Sequence, residues 1–429
     1  MTVLHVEAQK VQGAATTMDN VLAILLAGGA GERLFPLTRD TAKPAVPFGG
    51  TYRIIDFTLS NCINSDIRRI FILTQYKALD LNRHVRYGWN IVSPELGEYI
   101  EVIPPMKRLG EDWYQGTADA IFQNSQSIEA EQSGYTMVLA GDHIYKMNYR
   151  EMAAWHHSKN ADVTIATILV SPEEAGRFGI CEIDADHRIT GFEEKPEHGK
   201  PVRSVFDPSK VSASMGIYVF NTDLLLRVLH EDSLNPSSSH DFGRDVIPSL
   251  IEKARVIAYN FVDMNHKEAL YWRDVGTLDA YYEANMDLVS VSPEFNLYDQ
   301  QWPIRTYLPQ QPPAKFVFAQ EGRRMGVAMD SIVSAGCIIS GGRVVRSVLS
   351  PAVRVNSYCE VEYSILLPGA EIGRYSRIRR AIIGTGVKIP EGTNIGFDRD
   401  ADLAAGHFVT DSGIVVAATQ EYRAGLASA

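Results

Sequence analysis

Cysteine is scarce in this chain. Its 429 residues contain four cysteines, Cys62, Cys181, Cys337 and Cys359, and no two of them form a Cys-x-x-Cys pair. This spacing argues against a zinc site and against a thioredoxin-type redox motif. Because widely spaced cysteines provide no disulfide framework, we expect the protein to reside in the reducing cytoplasm.

Long apolar runs are also lacking, and basic residues are outnumbered by acidic ones. No run is long enough to span a bilayer. Residues 1–20 lack the basic region and apolar core of a signal peptide, and we interpret them as a flexible N-terminal segment. Lys and Arg number 41 against 52 Asp and Glu, which gives a formal net charge of −11. This balance argues against nucleic-acid or membrane partners, so a phosphate ligand must be held by local cations.

The most informative stretch begins with an apolar run over residues 21–27, which predicts a buried strand. Gly28, Gly29 and Gly31 follow directly. Glycine lets backbone N–H groups approach a phosphate without a Cβ in the way. The stretch therefore predicts a phosphate-binding loop at the end of a sheet, although a tight strand-to-helix turn explains the glycines equally well.

Two cations, Arg33 and Lys43, follow the glycines and can reach an anion held by the loop. A dinucleotide fingerprint is excluded because Leu34 stands where a third glycine is needed, and the Gly-Lys-Ser/Thr of a P-loop is absent. The order Gly-Gly-x-Gly-x-Arg-Leu, followed by Lys43-Pro44, resembles the signature of sugar nucleotidyltransferases. These enzymes transfer the nucleotidyl group of a nucleoside triphosphate to a sugar 1-phosphate, and pyrophosphate leaves.

Further apolar runs alternate with helical spacing as far as residue 292. This alternation predicts a parallel α/β sheet over residues 21–292, with functional groups at the carboxyl ends of the strands. The predicted elements are strands at 70–74, 136–140 and 163–170, a helical segment at 116–131, and a strand or strand–helix junction at 53–57.

Residues 293–324 contain several prolines and no helical periodicity, so we interpret them as a linker. Beyond them, in residues 325–429, apolar residues recur every 17 positions. This repeat predicts short strands stacked into a left-handed parallel β-helix with a C-terminal tail; the alternative is an antiparallel β-domain with accidental spacing. The four series are Ile338, Val355, Ile372 and Ile389; Val344, Val361, Ile378 and Ile395; Val348, Ile365 and Ile382; and Leu349, Leu366 and Ile383.

Two carboxylates stand beside predicted turns, Asp142 in LAGDHIY and Asp274 in YWRDVGT. Two carboxylates that meet over one Mg²⁺ would fit phosphoryl or nucleotidyl transfer. Asp142 could equally cap a helix that follows the strand. We expect His143 to be structural, because no second histidine stands at metal-ligand spacing.

A second lysine, Lys195 in GFEEKP, precedes a proline and is predicted to lie on a turn, where it could bind a sugar phosphate. A solvated lysine paired with a neighbouring glutamate is the commoner situation. Glu194 could accept hydrogen bonds from sugar hydroxyls. Asp241 with Phe242, and Trp272 near a carboxylate, combine apolar rings with acceptors as sugar sites do, although each ring could also belong to the core.

Eight motifs together resemble bacterial ADP-glucose pyrophosphorylases, the glucose-1-phosphate adenylyltransferases of glycogen synthesis. The resemblance extends from about residue 20 to about residue 418. The motifs are WYQGTADA (113–120), LAGDHIYKM (139–147), FEEKP (192–196), SMGIYVF (214–220), SSHDFGRDVIP (238–248), YWRDVGTLDAYYEAN (271–285), PPAKFV (312–317) and VSAGCIISG (333–341).

The resemblance implies a Rossmann-like, GT-A-like domain with a mixed sheet, followed by the β-helix. It implies ATP and glucose 1-phosphate as substrates and Mg²⁺ as cofactor. The residues implied for the reaction and the nucleotide are Arg33, Lys43 and Asp142, with Gly28, Gly29, Tyr114, Gly116 and Thr117. Those implied for Mg²⁺ are Asp142 and Asp274, and those implied for glucose 1-phosphate are Glu194, Lys195, Ser214, Tyr218, Asp241, Phe242 and Trp272.

The resemblance also implies a homotetramer controlled by small-molecule effectors. Arg39 and Arg53 are the candidate effector residues, where the two domains are expected to meet. Enteric relatives activated by fructose 1,6-bisphosphate carry a lysine where this chain has Asp40, which argues against that activator. Two alternatives are a related enzyme that uses UTP, dTTP or GTP, and a non-catalytic regulatory subunit that binds sugar phosphates. The second is disfavoured because every matching residue is present.

Overall fold

The computed structural model of the chain describes residues 18–29, 31–106, 113–196, 201–320 and 324–418. Most of the N-terminal segment predicted to be flexible lies outside these ranges, as do the residues after 418. The last three residues of that N-terminal segment, Met18–Asn20, form a 3-10 turn in which Met18 is buried. No helix in the described ranges is long and apolar enough to cross a membrane.

Nine strands of the described residues form one mixed sheet, in the order β10-β9-β11-β6-β1-β4-β5, with β8 beside β11 and β12 beside β8. The predicted parallel arrangement is confirmed for β5, β4, β1 and β6, whereas β11 runs antiparallel to β6. The strands up to residue 274 are β1 Val21–Leu26, β2 Pro47–Phe48, β3 Tyr52–Arg53, β4 Arg69–Leu73, β5 Tyr99–Ile103, β6 Tyr135–Ala140, β7 His143–Tyr145, β8 Val163–Val170, β9 Gly179–Ile183, β10 Ile189–Glu194, β11 Val211–Asn221, β12 Val256–Asn260 and β13 Trp272–Asp274.

Helices cover both faces of this sheet, and two apolar clusters fill the space between helices and strands. Residues 53–57 prove to be a strand–helix junction, because β3 ends at Arg53 and the first helix begins at Ile55. The helical segment predicted at 116–131 is split into two short helices. The helices are α1 Ile55–Asn64, α2 Leu79–Gly88, α3 Thr117–Phe122, α4 Ser125–Ala130, α5 Tyr149–Ser158, α6 Thr222–Ser233, α7 Ile247–Leu250 and α8 Leu278–Asp287.

The C-terminal part is a parallel β-helix, as predicted. Its three sheets have the orders β14-β19-β22-β25-β28, β17-β20-β23-β26-β29 and β18-β21-β24-β27-β31-β30. Its elements are β14 Lys315–Val317, β15 Ala319–Gln320, β16 Arg324–Met325, β17 Val327–Met329, β18 Ile332–Val333, β19 Ile338–Ser340, β20 Arg343–Val345, β21 Val348–Leu349, β22 Arg354–Val355, β23 Glu360–Glu362, β24 Ile365–Leu366, β25 Glu371–Ile372, β26 Arg377–Arg379, β27 Ala381–Ile383, β28 Lys388–Ile389, β29 Asn394–Ile395, α9 Arg399–Ala404, β30 Phe408–Val409 and β31 Val415–Ala417.

The predicted spacing of 17 residues is confirmed for three of the four series by the register of the strands. The exception is the first member of the remaining series. Val355 pairs with Ile339, not with Ile338, because the first coil is one residue shorter. Strand alternation then turns Ile339 into the interior, where it is fully buried, and leaves Ile338 half-buried.

Two neighbouring series point in opposite directions. Leu349 and Leu366 fill the interior of the β-helix. Val348 and Ile365 project outward and join an apolar cluster with Tyr281 and other residues of the N-terminal part. The sheet that carries both series is therefore the face on which the β-helix packs against the rest of the chain.

The segment 293–324 is more structured than a linker. Its strand β14 already pairs with β19 of the β-helix. Upstream, Phe295 is fully buried and Trp302 Nε1 donates to Asn61 Oδ1 at 2.9 Å. Prolines remove periodicity from a sequence without preventing burial, which explains why the pattern did not indicate this packing.

Candidate active site

A cleft of about 540 Å³ lies at the carboxyl ends of β1, β4 and β6. Its walls come from the loops that follow β1, β4 and β6, the 3-10 turn that starts at Lys43, the segment before α3, the end of β10, the middle of β11 and the start of the π-helical turn Phe242–Val246. Of the residues predicted for the site, those that line the cleft are Gly28, Gly29, Lys43, Tyr114, Gly116, Thr117, Asp142, Glu194, Tyr218, Asp241 and Phe242.

The glycine loop starts where the buried strand β1 ends. The backbone N–H of Ala27 still donates to Leu73 of β4, at 2.9 Å, so the loop leaves the sheet after Ala27. A Cβ on Gly28 would stand 3.1 Å from the Cβ of Gln75, which leaves little room for a larger residue. Gly31 has a φ of +66°, in the left-handed region that glycine adopts without strain.

Lys43 is the most deeply placed cation of the cleft. It lies on the 3-10 turn Lys43–Ala45, and its side chain is only 9% exposed. Its Nζ donates to Asp142 Oδ2 at 2.8 Å and to Asp274 Oδ1 at 3.2 Å. Arg33 Nη2 lies 3.9 Å from Asp274 Oδ2, and the Arg33 side chain is 68% exposed.

The two carboxylates meet because two short strands pair. Asp142 immediately precedes β7, and Asp274 ends β13; these strands run antiparallel with His143 opposite Asp274. No helix begins at Asp142, so the helix-cap alternative is wrong for this residue. Asp274 does not line the cleft, but it accepts a hydrogen bond from Lys43, which does.

Burial and charge act in opposite directions on these groups. Burial is the largest single effect and would raise the pKa values of Asp142 and Asp274, but the charge and hydrogen bond of Lys43 together with the nearby charge of His143 outweigh it and lower both. Burial alone would lower the pKa of Lys43, and the two carboxylates reverse this and raise it. All three groups are therefore ionised at neutral pH, with one ammonium between two carboxylates.

The same corner of the site has the donor set of a cation site. Ligand atoms of Asp142, His143 and Asp274 lie within 4.8 Å of one another. Carboxylate oxygens are the ligands that Mg²⁺ prefers, so the residues fit a divalent cation. His143, expected to be structural, is part of this cluster; its ring packs 4.9 Å from that of Trp272. Its Nδ1 has no hydrogen-bond partner among the described residues.

On the opposite wall, Thr117 connects two segments of the cleft. Its Oγ1 donates to Asp241 Oδ2 at 3.0 Å and accepts from the backbone N–H of Phe242 at 3.1 Å. The ring of Phe242 stacks on that of Tyr218, with centroids 5.7 Å apart. No residue larger than glycine fits at position 116, because a Cβ there would overlap the backbone oxygen of His240. This wall thus combines a flat apolar surface with hydrogen-bonding edges.

Three of the residues predicted for glucose 1-phosphate lie outside the cleft lining. Lys195, with a φ of +48°, has a half-exposed side chain and pairs with Glu194 Oε1 at 2.9 Å, as the alternative interpretation held. Ser214 is buried and accepts from the backbone N–H of Gly216 at 3.3 Å. Trp272 is buried against His143 and Phe178.

Sequence reasoning missed Gln75, which lines the cleft and donates from Nε2 to the backbone oxygen of Tyr114 at 3.1 Å. Gln75 follows β4 by two positions, at the same sheet edge as the glycine loop. The strand-end rule that selected Asp142 would also have selected Gln75, had polar amides been considered.

Of the two candidate effector residues, Arg53 follows a turn that touches the β-helix. Arg53 ends β3, and its Nη1 donates to the backbone oxygen of Ala45 at 2.8 Å. The turn before β3 touches the β-helix, since a Cβ on Gly50 would stand 2.8 Å from Ser334 Oγ. Arg39 is half-buried in the segment between Arg33 and Lys43.

Two protein-family models match the chain: a nucleotidyl transferase model over residues 22–291 and a GlmU-like C-terminal hexapeptide model over residues 312–417. Hexapeptide repeats form left-handed β-helices, in agreement with the predicted hand. Three similar proteins are named glucose-1-phosphate adenylyltransferase. They come from Koribacter versatilis (61% identity over 94% of this chain and 96% of that protein), Rhodopirellula baltica (56%, 94% and 91%) and Paramagnetospirillum magneticum (51%, 95% and 95%).

Proposed function

The chain belongs to the glucose-1-phosphate adenylyltransferase family, and from this premise we propose that it converts ATP and glucose 1-phosphate into ADP-glucose and pyrophosphate. A phosphate oxygen of glucose 1-phosphate attacks the α-phosphorus of ATP. The bond from that phosphorus to the oxygen that bridges to the β-phosphorus breaks, and pyrophosphate leaves with the electron pair. The nucleophile is already an anion, so no side chain has to remove a proton.

The observation that carries this proposal is the position of Lys43. Its ammonium lies between Asp142 and Asp274, at 2.8 and 3.2 Å, and faces the cleft beside the glycine loop. A buried ammonium can stabilise charge that develops on the phosphates in the transition state. Arg33, which is mostly exposed, supplies a second cation that can turn towards the triphosphate.

Asp142 and Asp274 would hold a divalent cation, which we propose is Mg²⁺. When bound, the cation would neutralise charge on the triphosphate and help to orient it. The chain's own contribution is positioning: β7 and β13 fix the two carboxylates, and the carboxylates keep Lys43 charged.

Glucose 1-phosphate is proposed to bind at the opposite wall. The stacked rings of Tyr218 and Phe242 offer an apolar surface to the sugar, and Glu194 and Asp241 offer acceptors to its hydroxyls. Lys195 is half-exposed and forms a salt bridge with the adjacent Glu194, and such exposed pairs are weak, so Lys195 can exchange Glu194 for the sugar phosphate. Trp272 and Ser214 would support this wall from behind.

The test measures pyrophosphate release with ATP, UTP, dTTP and GTP, each in the presence of glucose 1-phosphate. We expect ATP to be the preferred nucleotide. Asp142→Asn should lower turnover by orders of magnitude, because it removes a carboxylate from Lys43 and from the cation. Asp186→Asn, at an exposed turn, is the matched control and should retain turnover. Preference for another nucleotide, or no activity with any, would refute the assignment.

We further propose a cytoplasmic homotetramer controlled by small-molecule effectors that bind near Arg39 and Arg53. The four buried, unpaired cysteines agree with a reducing compartment. Synthesis should be measured with a panel of glycolytic intermediates on the wild type and on Arg53→Ala. An unchanged effector response in Arg53→Ala would contradict this placement, and a mass other than four chains in light scattering would contradict the tetramer.

A further inference from the structure

We propose that Lys77 and Thr38 are positioning residues, which hold the glycine loop and Lys43 in the geometry that ATP requires. The inference rests on the function proposed above. It concerns the loop after β4 and the segment between Arg33 and Lys43. The sugar nucleotidyltransferase signature assigns no role to either of them.

Thr38 contacts the glycine loop in two ways. Its Oγ1 donates to the backbone oxygen of Gly31 at 2.8 Å, and its methyl group packs against the same glycine. A Cβ on Gly31 would stand 2.9 Å from Thr38 Cγ2 and 3.1 Å from the Cβ of Lys43. Thr38 is 2% exposed. Gly31 is therefore enclosed between Thr38 and the stem of Lys43, and a shift of Thr38 would move both.

The segment around Thr38 is held by the apolar packing of Leu34 and Leu37, but its backbone hydrogen bonds do not attach it to the sheet. Within it, backbone N–H groups donate to carbonyl oxygens only three positions earlier, and such bonds close turns without attaching the segment to the sheet. These donors are Leu34, Phe35, Leu37 and Arg39.

Lys77 provides an attachment to the sheet. Its Nζ donates to the backbone oxygen of Thr38 at 2.8 Å, across 39 positions of the chain. Lys77 follows the end of β4 and has a φ of +47°, so it belongs to a tight turn at the sheet edge. On the other side of that turn, Gln75 donates to the backbone oxygen of Tyr114. The loop after β4 thus connects the glycine loop with the opposite wall of the cleft.

The exposure of Lys77 would also fit a surface lysine with no part in substrate binding. This interpretation and the positioning role make different predictions. A surface lysine affects neither substrate. A positioning lysine affects ATP but not glucose 1-phosphate, because the hydrogen bond of its side chain goes to Thr38, which packs on Gly31 beside Lys43, whereas the link to the opposite wall is made by Gln75. Since Lys77 is exposed and contributes little to packing, its removal costs one hydrogen bond and should lower the midpoint of thermal unfolding by no more than a few degrees.

The test compares Lys77→Met with Lys77→Arg and with Lys253→Met, an exposed lysine of the same domain that serves as the charge-matched control. We expect Lys77→Met to raise the half-saturation concentration of ATP by about tenfold, since one charged hydrogen bond is lost. The half-saturation concentration of glucose 1-phosphate should not change, and Lys77→Arg should restore most of the effect. Thr38→Val, which lacks the hydroxyl, should resemble Lys77→Met, whereas Thr38→Ser should stay closer to the wild type.

A second measurement does not depend on turnover. Hydrogen–deuterium exchange of the peptide that covers residues 31–43, without substrates, should be faster in Lys77→Met than in Lys253→Met. Equal exchange in the two variants, or equal half-saturation for ATP, would overturn the inference. Failure of the wild type to use ATP, with the exchange difference present, would instead refute the proposed function and leave the positioning role standing.

Discussion

Replacing Lys43 by methionine tests the charge arrangement of the site most directly. The substitution keeps the length of the apolar stem and removes only the ammonium. Asp142 and Asp274 then face each other without the cation that now lies 2.8 and 3.2 Å from them. The remaining cation, Arg33, is 3.9 Å from Asp274 and largely exposed to solvent, so it compensates poorly.

The magnitude follows from the burial of the three groups. The side chains of Lys43 and Asp274 are 9% and 15% exposed, whereas that of Asp142 is 33% exposed. Breaking a fully buried ion pair costs about 3–5 kcal/mol, and solvent access to Asp142 reduces this to about 2–3 kcal/mol. For a domain of this size, such a loss lowers the midpoint of thermal unfolding by about 5–10 °C.

The substitution should also change the response to divalent cations. In the wild type, the ammonium competes for the carboxylate oxygens that a cation would use. Lys43→Met removes this competitor and leaves Asp142, His143 and Asp274 within reach of one another. Mg²⁺ in the absence of nucleotide should therefore stabilise Lys43→Met more than the wild type, although turnover falls by about 10²–10³-fold.

Differential scanning fluorimetry with and without Mg²⁺ measures both effects, and a pyrophosphate-release assay measures turnover. Lys253→Met is again the control for the loss of one positive charge. The reasoning fails if Lys43→Met unfolds at the wild-type temperature and shows no added response to Mg²⁺. Retained turnover would remove Lys43 from the reaction even if the stability changes as expected.

Three further predictions concern other parts of the molecule. Lys195→Gln should raise the half-saturation concentration of glucose 1-phosphate about tenfold without affecting that of ATP, and steady-state kinetics that show an effect on ATP alone would mean that the two substrate sites are interchanged. Burial lowers the pKa of His156 from 6.5 to about 4, so the unfolded chain binds the proton more tightly. The free energy of unfolding should therefore fall by about 3 kcal/mol as the pH drops from about 6.5 to about 4, and urea titrations of His156→Gln should lack this part of the slope. Leu366→Ala should destabilise the β-helix by about 3 kcal/mol, because Leu366 is fully buried in its interior, and a Leu403→Ala control on an exposed position should unfold like the wild type.

The sequence predicted those parts of the site that local patterns determine. A buried strand followed by glycines specifies the loop after β1, and a strand end specifies Asp142. The meeting of Asp142 with Asp274 could not be derived from the pattern, because β7 and β13 have three residues each. Strands that short carry no periodic signal, and only their pairing shows that two distant carboxylates share one lysine.

The repeat of the β-helix shows the same division between local and global information. Its spacing of 17 identified the stacked strands, yet it placed Ile338 where the structure has Ile339, because one shorter coil shifts the strand register. The spacing also could not reveal why Val348 and Leu349, adjacent in the chain, both have to be apolar. Adjacent residues of a strand face opposite sides, so two apolar series in succession indicate a sheet that is buried on both faces.

That doubly buried sheet connects the β-helix with the chemistry of the site. The cluster on its outer face includes Val348 and Ile365 from the β-helix, and Leu34 and Val46 from the N-terminal part. Leu34 directly follows Arg33, and Val46 ends the turn that starts with Lys43. The positions of both cations therefore depend on an apolar core that the β-helix completes. The change in sequence pattern near residue 292 suggests a catalytic domain that is independent of the β-helix. The packing shows instead that the β-helix supports the segment that carries Arg33 and Lys43.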